Sequence, residues 1–244
     1  MIKAYAKSDI GKVRDMNQDY FYISEPLDET QIYILADGMG GYNGGEIASK
    51  LATTCAKNYL QNNFKDTPKD KESIMKLVKS SMEYANMVVY EKSQKNKELE
   101  GMGTTLEICL IYNNRVYIGH IGDSRIYRIR KDIIRKLTQD HSYVQKLVKD
   151  GTITKEEAEH HPKKNMLMKA LGCNAFVEPD IAVKGFLKDD IILMGSDGLT
   201  NFVSQDDLYK TVKENIEFAP QELVNIANNN GGQDNITVVV IKNI

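Results

Sequence analysis

Five aspartates stand where an apolar, strand-like run stops or starts. Asp37 follows "IYILA", Asp197 follows "IILMGS" and Asp123 follows "VYIGHIG"; Asp234 just precedes "NITVVV", and Asp19 just precedes "YFYI". In antiparallel pairing the end of one strand lies beside the start of its neighbour. Strands ending in Asp37, Asp123 and Asp197, interleaved with strands beginning at Asp19 and Asp234, are therefore expected to bring five carboxylates to one sheet edge. An Asp-Gly pair after a strand is by itself a common turn, and any one of these acids alone reads as a turn residue. Five together repel one another and lose solvation unless cations neutralise them. An oxygen-only set, without histidine or cysteine, selects hard divalent ions such as Mg²⁺ or Mn²⁺. Glycine after Asp37 and Asp197 lets the backbone approach closely and offers the Gly38 carbonyl as a further ligand.

The glycine-rich stretch "IYILADGMGGYNGGE" fits no phosphate-loop pattern. A Walker A loop needs Gly-Lys-Ser/Thr, but Gly45 precedes Glu46. The dinucleotide pattern, started at Gly38, meets Asn43 where its last glycine belongs. An acid just before such a loop would repel phosphate unless a metal intervened.

The elements that must hold these acids follow from periodicity. Runs rich in β-branched and aromatic residues predict strands at 2–8, 19–24, 31–36, 104–112, 115–121, 125–130, 176–184, 190–195 and 235–241. Asn113-Asn114 joins two of them as a hairpin. Helices are predicted at 44–63 and 69–97, the second with an apolar stripe of Ile74, Leu77, Val78, Met82, Ala85 and Val89. Two more follow at 205–215, opened by Ser204 and Asp207, and at 220–229, with Pro220 in its first turn. Strands come in groups separated by helix pairs, which predicts an α+β fold with mostly antiparallel sheets rather than a doubly wound parallel sheet. The polar segment 140–172 carries three of the four histidines and no strong stripe, and reads as a flap subdomain.

Composition narrows the function. A chain of 244 residues can bury a large core, and 41% hydrophobic with 27% charged residues is a globular balance. A net charge of −2 without a basic block gives no footprint for nucleic acid. The longest apolar runs are strand-length, and "MIKAYAKSDIGK" lacks the apolar region of a signal peptide, so a cytoplasmic protein without a membrane span is expected. Cys55, Cys109 and Cys173, odd in number and far apart, suit neither disulfides nor zinc. None sits in a C-x₅-R motif.

The set "RDMNQD" (14–19), "DGMGG" (37–41), "GTT" (103–105), "GDSR" (122–125), "KALG" (169–172), "SDGL" (196–199) and "GGQDN" (231–235) resembles the bacterial metal-dependent protein phosphatases of the type 2C (PPM) serine/threonine family. The motifs keep family order over nearly the whole chain. The resemblance implies a single domain over 1–244: a four-layer α/β/β/α sandwich of two packed antiparallel sheets flanked by helix pairs, with the flap at about 140–172. It implies Mn²⁺ or Mg²⁺ as cofactor, two ions at the core and a third beside them. Asp37 resembles the acid bridging the two core ions, with the Gly38 carbonyl on one of them. Asp197 and Asp234 look like further ligands of the first ion, Asp19 like an acid serving the second through water, and Asp123 like the acid that joins Asp197 at the third. Arg14 looks like the guanidinium that grips the substrate phosphate, a bidentate task that lysine does poorly.

Two positions depart from the family. Many bacterial members carry histidine just after DGMGG, a proton donor to the leaving group; here it is Tyr42, and a phenol near pKa ~10 donates less readily at neutral pH. His141 in "DHS" is the obvious substitute, although a lone histidine in a polar segment is more often solvated or capping. Lys169 stands where arginine is usual and keeps the charge near the flap. Phosphomonoester hydrolysis needs a nucleophile at neutral pH and relief of charge on the phosphoryl oxygens, both of which a two-ion site supplies. The implied activity is hydrolysis of phosphoserine and phosphothreonine on proteins, a cognate Ser/Thr kinase among them, by a monomer. Rival readings are a phosphatase dedicated to one regulatory phosphoprotein, as in sigma-factor pathways, a phosphoprotein-binding module without catalysis, and a metal-dependent nuclease. A binding module should have lost a metal acid, and none is missing; a nuclease should have a basic groove, whereas this chain's balance is slightly acidic.

Overall fold

The computed structural model describes residues 1–26, 28, 30–40 and 44–244. Its first half runs β1 (Ile2–Asp9), β2 (Asp19–Ile23), β3 (Gln31–Met39), α1 (Gly44–Phe64), α2 (Lys71–Lys95), β4 (Gly103–Thr104), β5 (Leu106–Tyr112) and β6 (Arg115–Ile121). After it come β7 (Arg125–Arg130), β8 (Ile133–Lys136), α3 (Tyr143–Lys149), α4 (Lys155–Glu159), β9 (Asp180–Gly185), β10 (Ile191–Gly195), α5 (Asp197–Thr200), α6 (Gln205–Glu214), α7 (Ala219–Asn229) and β11 (Ile236–Asn243). One sheet has the order β1-β11-β10-β7-β8, and the other β2-β3-β5-β6-β9 with β4 added to β3. Among the described residues every strand pair is antiparallel.

Three separate cores explain why the strands read as nearly continuous apolar runs. Ile32, Ile34 and Ala36 of β3 face α1 and α2, where Leu60, Val78, Met82 and Val89 meet them. Tyr33 and Leu35, one residue out of phase, face the opposite sheet and pack with Ile126, Met194 and Val239. On the far side Ile191, Leu193, Val238 and Val240 pack on Leu208, Val212 and Leu223 of α6 and α7. Each fully buried aliphatic side chain contributes about 1.5–3 kcal/mol, and the two-residue period divides that burial between two interfaces. The α+β reading with two antiparallel sheets and helix pairs outside them holds.

Local signals also hold. Asn113 and Asn114 have φ of 47° and 56°, the left-handed pair that a two-residue hairpin needs. Ser204 accepts from the Asp207 amide and caps α6, and Pro220 sits in the first turn of α7. Three expectations change. The strand predicted at 176–184 begins only at Asp180, because Pro179 brings no amide to a ladder. The run predicted at 104–112 is broken at Thr105, whose backbone turns to Asp37 instead. Strand β8, "IIRK", was not predicted: it is a half-polar, largely exposed edge with no apolar run to announce it.

Segment 140–172 holds α3 and α4, capped by Ser142 and by a Thr154–Glu157 capping box. Its two ends are stitched together where Tyr143 N–H donates to Met166 O (2.8 Å) and Met168 N–H donates to His141 O (2.7 Å).

Candidate metal and phosphate site

The five aspartates meet at one end of the sandwich, but not on one sheet edge as the sequence reading supposed. Asp19 opens β2 and lies directly across from Asp37 of β3. Asp197 follows β10 and Asp234 precedes β11, both strands of the other sheet. Asp123 sits in the turn that carries the chain from β6 in one sheet to β7 in the other. The site therefore joins corresponding ends of two facing sheets, and the packing between the sheets fixes its width.

Backbone and hydroxyl contacts hold each acid where its strand delivers it. Thr105 N–H donates to Asp37 O (2.8 Å), the Asp37 amide donates to Thr105 Oγ1 (2.9 Å), and Thr104 Oγ1 donates to Asp37 O (2.9 Å). Thr105 Oγ1 also lies 3.0 Å from Ser124 Oγ, tying the Asp123 turn to the same anchor. Asn235 donates through Nδ2 to Ile10 O and Met16 O, and its Oδ1 accepts from the Gln18 amide (2.8 Å), so the residue after Asp234 orders the loop before Asp19. Two glycines are needed for close approach: a Cβ at Gly38 would stand 2.1 Å from Gly45 O, and one at Gly198 would stand 2.0 Å from Asn235 O. The roles of Thr104, Thr105 and Asn235 were missed from sequence, although "GTT" and "GGQDN" contain them; their signal was adjacency to a strand end.

Electrostatically the site is loaded against itself. Asp19 is buried, neither carboxylate oxygen has a hydrogen bond of good geometry, and burial raises its pKa to about 7, although the nearby Thr237 and Ser196 hydroxyls pull the other way. Burial and the charges of Asp19, Asp197, Asp123 and Asp234 hold Asp37 well above the usual range. Asp123 rises to about 7 through burial and then Asp197, and Asp197 to about 6 through burial and then Asp234. These three side chains keep a solvent-facing edge, so the mutual repulsion is real but partly screened. Among the described residues no three His, Cys, Asp or Glu side chains already close around a common point.

Arg14 is the cationic neighbour. Its Nη2 donates to Asp234 Oδ2 at 2.7 Å while 53% of its side chain is exposed. It thus lies at the mouth of the cluster, with donors left to face solvent. Tyr42 lies outside the described residues. His141 is not solvated: only 10% of its side chain is exposed. Its Nδ1 accepts from the Gly122 amide (3.2 Å) and its Nε2 faces Asp180 Oδ2 (3.2 Å). Lys169 reaches the Glu178 carbonyl (3.3 Å) and lies 4.0 Å from Asp180, at the exit of segment 140–172. Arg125 pairs with Asp140 (2.9 Å) and donates to Thr200 O (2.9 Å), binding the Asp123 turn to α5.

The donor set fits a hard divalent cation. It offers carboxylates that burial and mutual repulsion disfavour as bare anions, two Asp19 oxygens without a hydrogen bond of good geometry, and a Gly38 backbone with no side chain in the way. The chain belongs to the protein phosphatase 2C family, whose model matches residues 12–229. Among its relatives, protein phosphatase PhpP of Streptococcus pneumoniae is 39% identical over 238 residues, covering 96% of this chain and 94% of the relative. The serine/threonine phosphatase stp of Listeria innocua is 36% identical over 240 residues, covering 97% and 94%. The catalytic domain of the serine/threonine phosphatase PstP, solved in complex with two manganese ions, superposes with a TM-score of 0.86 at 33% identity, covering 99% of this chain and 97% of that one.

Proposed function

We propose that this protein hydrolyses phosphoserine and phosphothreonine on proteins, with residues 1–244 acting as one phosphatase domain and segment 140–172 as its flap. The observation that carries the reading is the convergence of Asp19, Asp37, Asp123, Asp197 and Asp234 from two sheets beside an exposed arginine. Asp37, Gly38, Asp197 and Asp234 would hold two core Mn²⁺ or Mg²⁺ ions, with Asp19 serving the second and Asp123 joining Asp197 at a third. Such ions, when bound, acidify water and offset charge on a phosphoryl group.

What the chain itself does is bind, orient and focus. Arg14 presents a planar fork to the phosphate dianion, and pairing with Asp234 limits the directions in which that fork can point. Thr105 and Asn235 keep the acids on fixed backbone, so little reorganisation is needed when substrate arrives. His141 has both ring nitrogens engaged, so the leaving group takes its proton from another donor. Retention of all five acids favours catalysis over a binding-only role. Substrates are phosphorylated proteins, a cognate Ser/Thr kinase among them, in the cytoplasm; no helix among the described residues is long and apolar enough to cross a membrane.

The reading is tested by phosphate release from matched phosphothreonine and phosphotyrosine peptides in Mn²⁺. Preferential release from phosphothreonine supports it, whereas a preference for phosphotyrosine overturns the substrate class.

A further inference from the structure

A second buried polar cluster lies behind the acidic one. Glu107 and His120 face each other across β5 and β6, with His120 Nδ1 2.7 Å from Glu107 Oε2 and Nε2 2.8 Å from the Gln139 carbonyl. Both His120 nitrogens thus meet acceptors, and the ring is fixed on both sides. His141 stacks on it with centroids 4.6 Å apart and planes 26° from parallel. His141 then grips Gly122 twice: its backbone N–H donates to Gly122 O (2.7 Å), and its Nδ1 accepts from Gly122 N–H (3.2 Å). Because Nδ1 accepts, the ring proton sits on Nε2, where Asp180 Oδ2 lies 3.2 Å away. The carbonyl of the same residue receives Met168 N–H, at the return of segment 140–172.

Gly122 directly precedes Asp123 and has φ of +116°, a conformation in which a free turn has many alternatives. We propose that His141 is a positioning residue. It clamps the Gly122–Asp123 turn from behind, so that the Asp123 carboxylate is presented to a cation, and it links that turn to the base of segment 140–172. The proposal rests on the reading of Asp123 as a cation ligand, but the clamp itself can be measured without metal.

The test compares His141→Leu, His141→Asn and Asp123→Ala in the full chain. In metal-free protein, amide exchange at Gly122 should accelerate by about tenfold or more in His141→Leu. It should stay near wild type in His141→Asn, whose Oδ1 can take the place of Nδ1 as acceptor. Unchanged exchange in His141→Leu overturns the clamp. In Mn²⁺ titrations by calorimetry, His141→Leu should lose the weakest site as Asp123→Ala does, and His141→Asn should keep it. If Asp123→Ala keeps every site, the ligand reading of Asp123 fails while the exchange result still decides the clamp. If only His141→Leu keeps the weak site, the positioning role is wrong. Should His141→Leu not fold, the nitrogen-15 spectrum of the wild-type ring decides: the Nε2–H tautomer supports the clamp, and the Nδ1–H tautomer overturns it.

Discussion

Replacing Asp19 by asparagine should stabilise the metal-free protein at high pH, an unusual outcome for a buried substitution. Asp19 is buried, no hydrogen bond of good geometry reaches either oxygen, and its pKa is raised by burial from 3.8 to about 7 although the Thr237 and Ser196 hydroxyls pull it down. A group whose folded pKa is raised favours the folded state below its unfolded pKa and loses that contribution as pH rises through the folded value. At pH 8 the shift corresponds to about 4 kcal/mol against folding, an upper bound because neighbouring carboxylates relax it. Asparagine removes the charge but buries an amide without good partners, at about 1–3 kcal/mol. The net gain at pH 8 is about 1–3 kcal/mol, or roughly 2–12 °C in Tm for a chain of this size. Near pH 5 most of the gain disappears. Thermal unfolding followed by circular dichroism in EDTA, at pH 5 and pH 8, reads it directly. Saturating Mn²⁺ should reverse the order, since the wild type then gains the binding energy. An equal loss of Tm at both pH values in EDTA would refute the reasoning, because it would mean that the carboxylate is satisfied by the fold alone.

Asp37→Ala, Asp197→Ala and Asp234→Ala should each reduce turnover to background, while ion counting by calorimetry finds one site fewer in Asp123→Ala; loss of all binding in that variant contradicts the assignment. Arg14→Ala should raise KM for a phosphopeptide by about 10-fold or more without weakening Mn²⁺ binding; weaker binding with unchanged KM would make its Asp234 pair purely structural. Burial alone would lower the pKa of His120, but Glu107 and the Gln139 carbonyl raise it to about 9, while burial raises Glu107 itself to about 7; the His120 contribution to stability is lost as pH rises through 9. Above pH 7.5, where Asp19, Asp123 and Asp197 are largely ionised, the fall in Tm should flatten in Glu107→Leu/His120→Leu; an unchanged slope refutes the pairing. Reversing charge at Lys163, whose Nζ lies 5.5 Å over the Tyr143 ring, and at Lys164 should slow turnover of a phosphoprotein but spare para-nitrophenyl phosphate; equal slowing of both places the flap in the catalytic machinery.

Sequence pattern revealed most of the frame because buried strands and helices here obey their own periods. The stripe from Ile74 to Val89 and the alternation in β3 are direct consequences of burial. The five acids were legible as strand-end residues, since a carboxylate after an apolar run needs a reason. Which sheet each acid belongs to was not legible, because strand order depends on packing between segments more than a hundred residues apart. Strand β8 escaped because an exposed edge needs no apolar run, and β9 was misplaced because apolar residues before Pro179 mimic a strand. His141 was misjudged for a related reason: its neighbours in sequence are polar, whereas its neighbours in space are Gly122, His120 and Asp180.

The central claim, that this end of the sandwich is a cation site driving phosphomonoester hydrolysis, is tested most directly by stripping and restoring the metal. Protein dialysed exhaustively against EDTA should release no phosphate from a phosphothreonine peptide, and stepwise Mn²⁺ should restore turnover in parallel with occupancy of two ions. Asp37→Asn should recover neither. Full activity in the stripped protein, or full recovery in Asp37→Asn, would contradict the account.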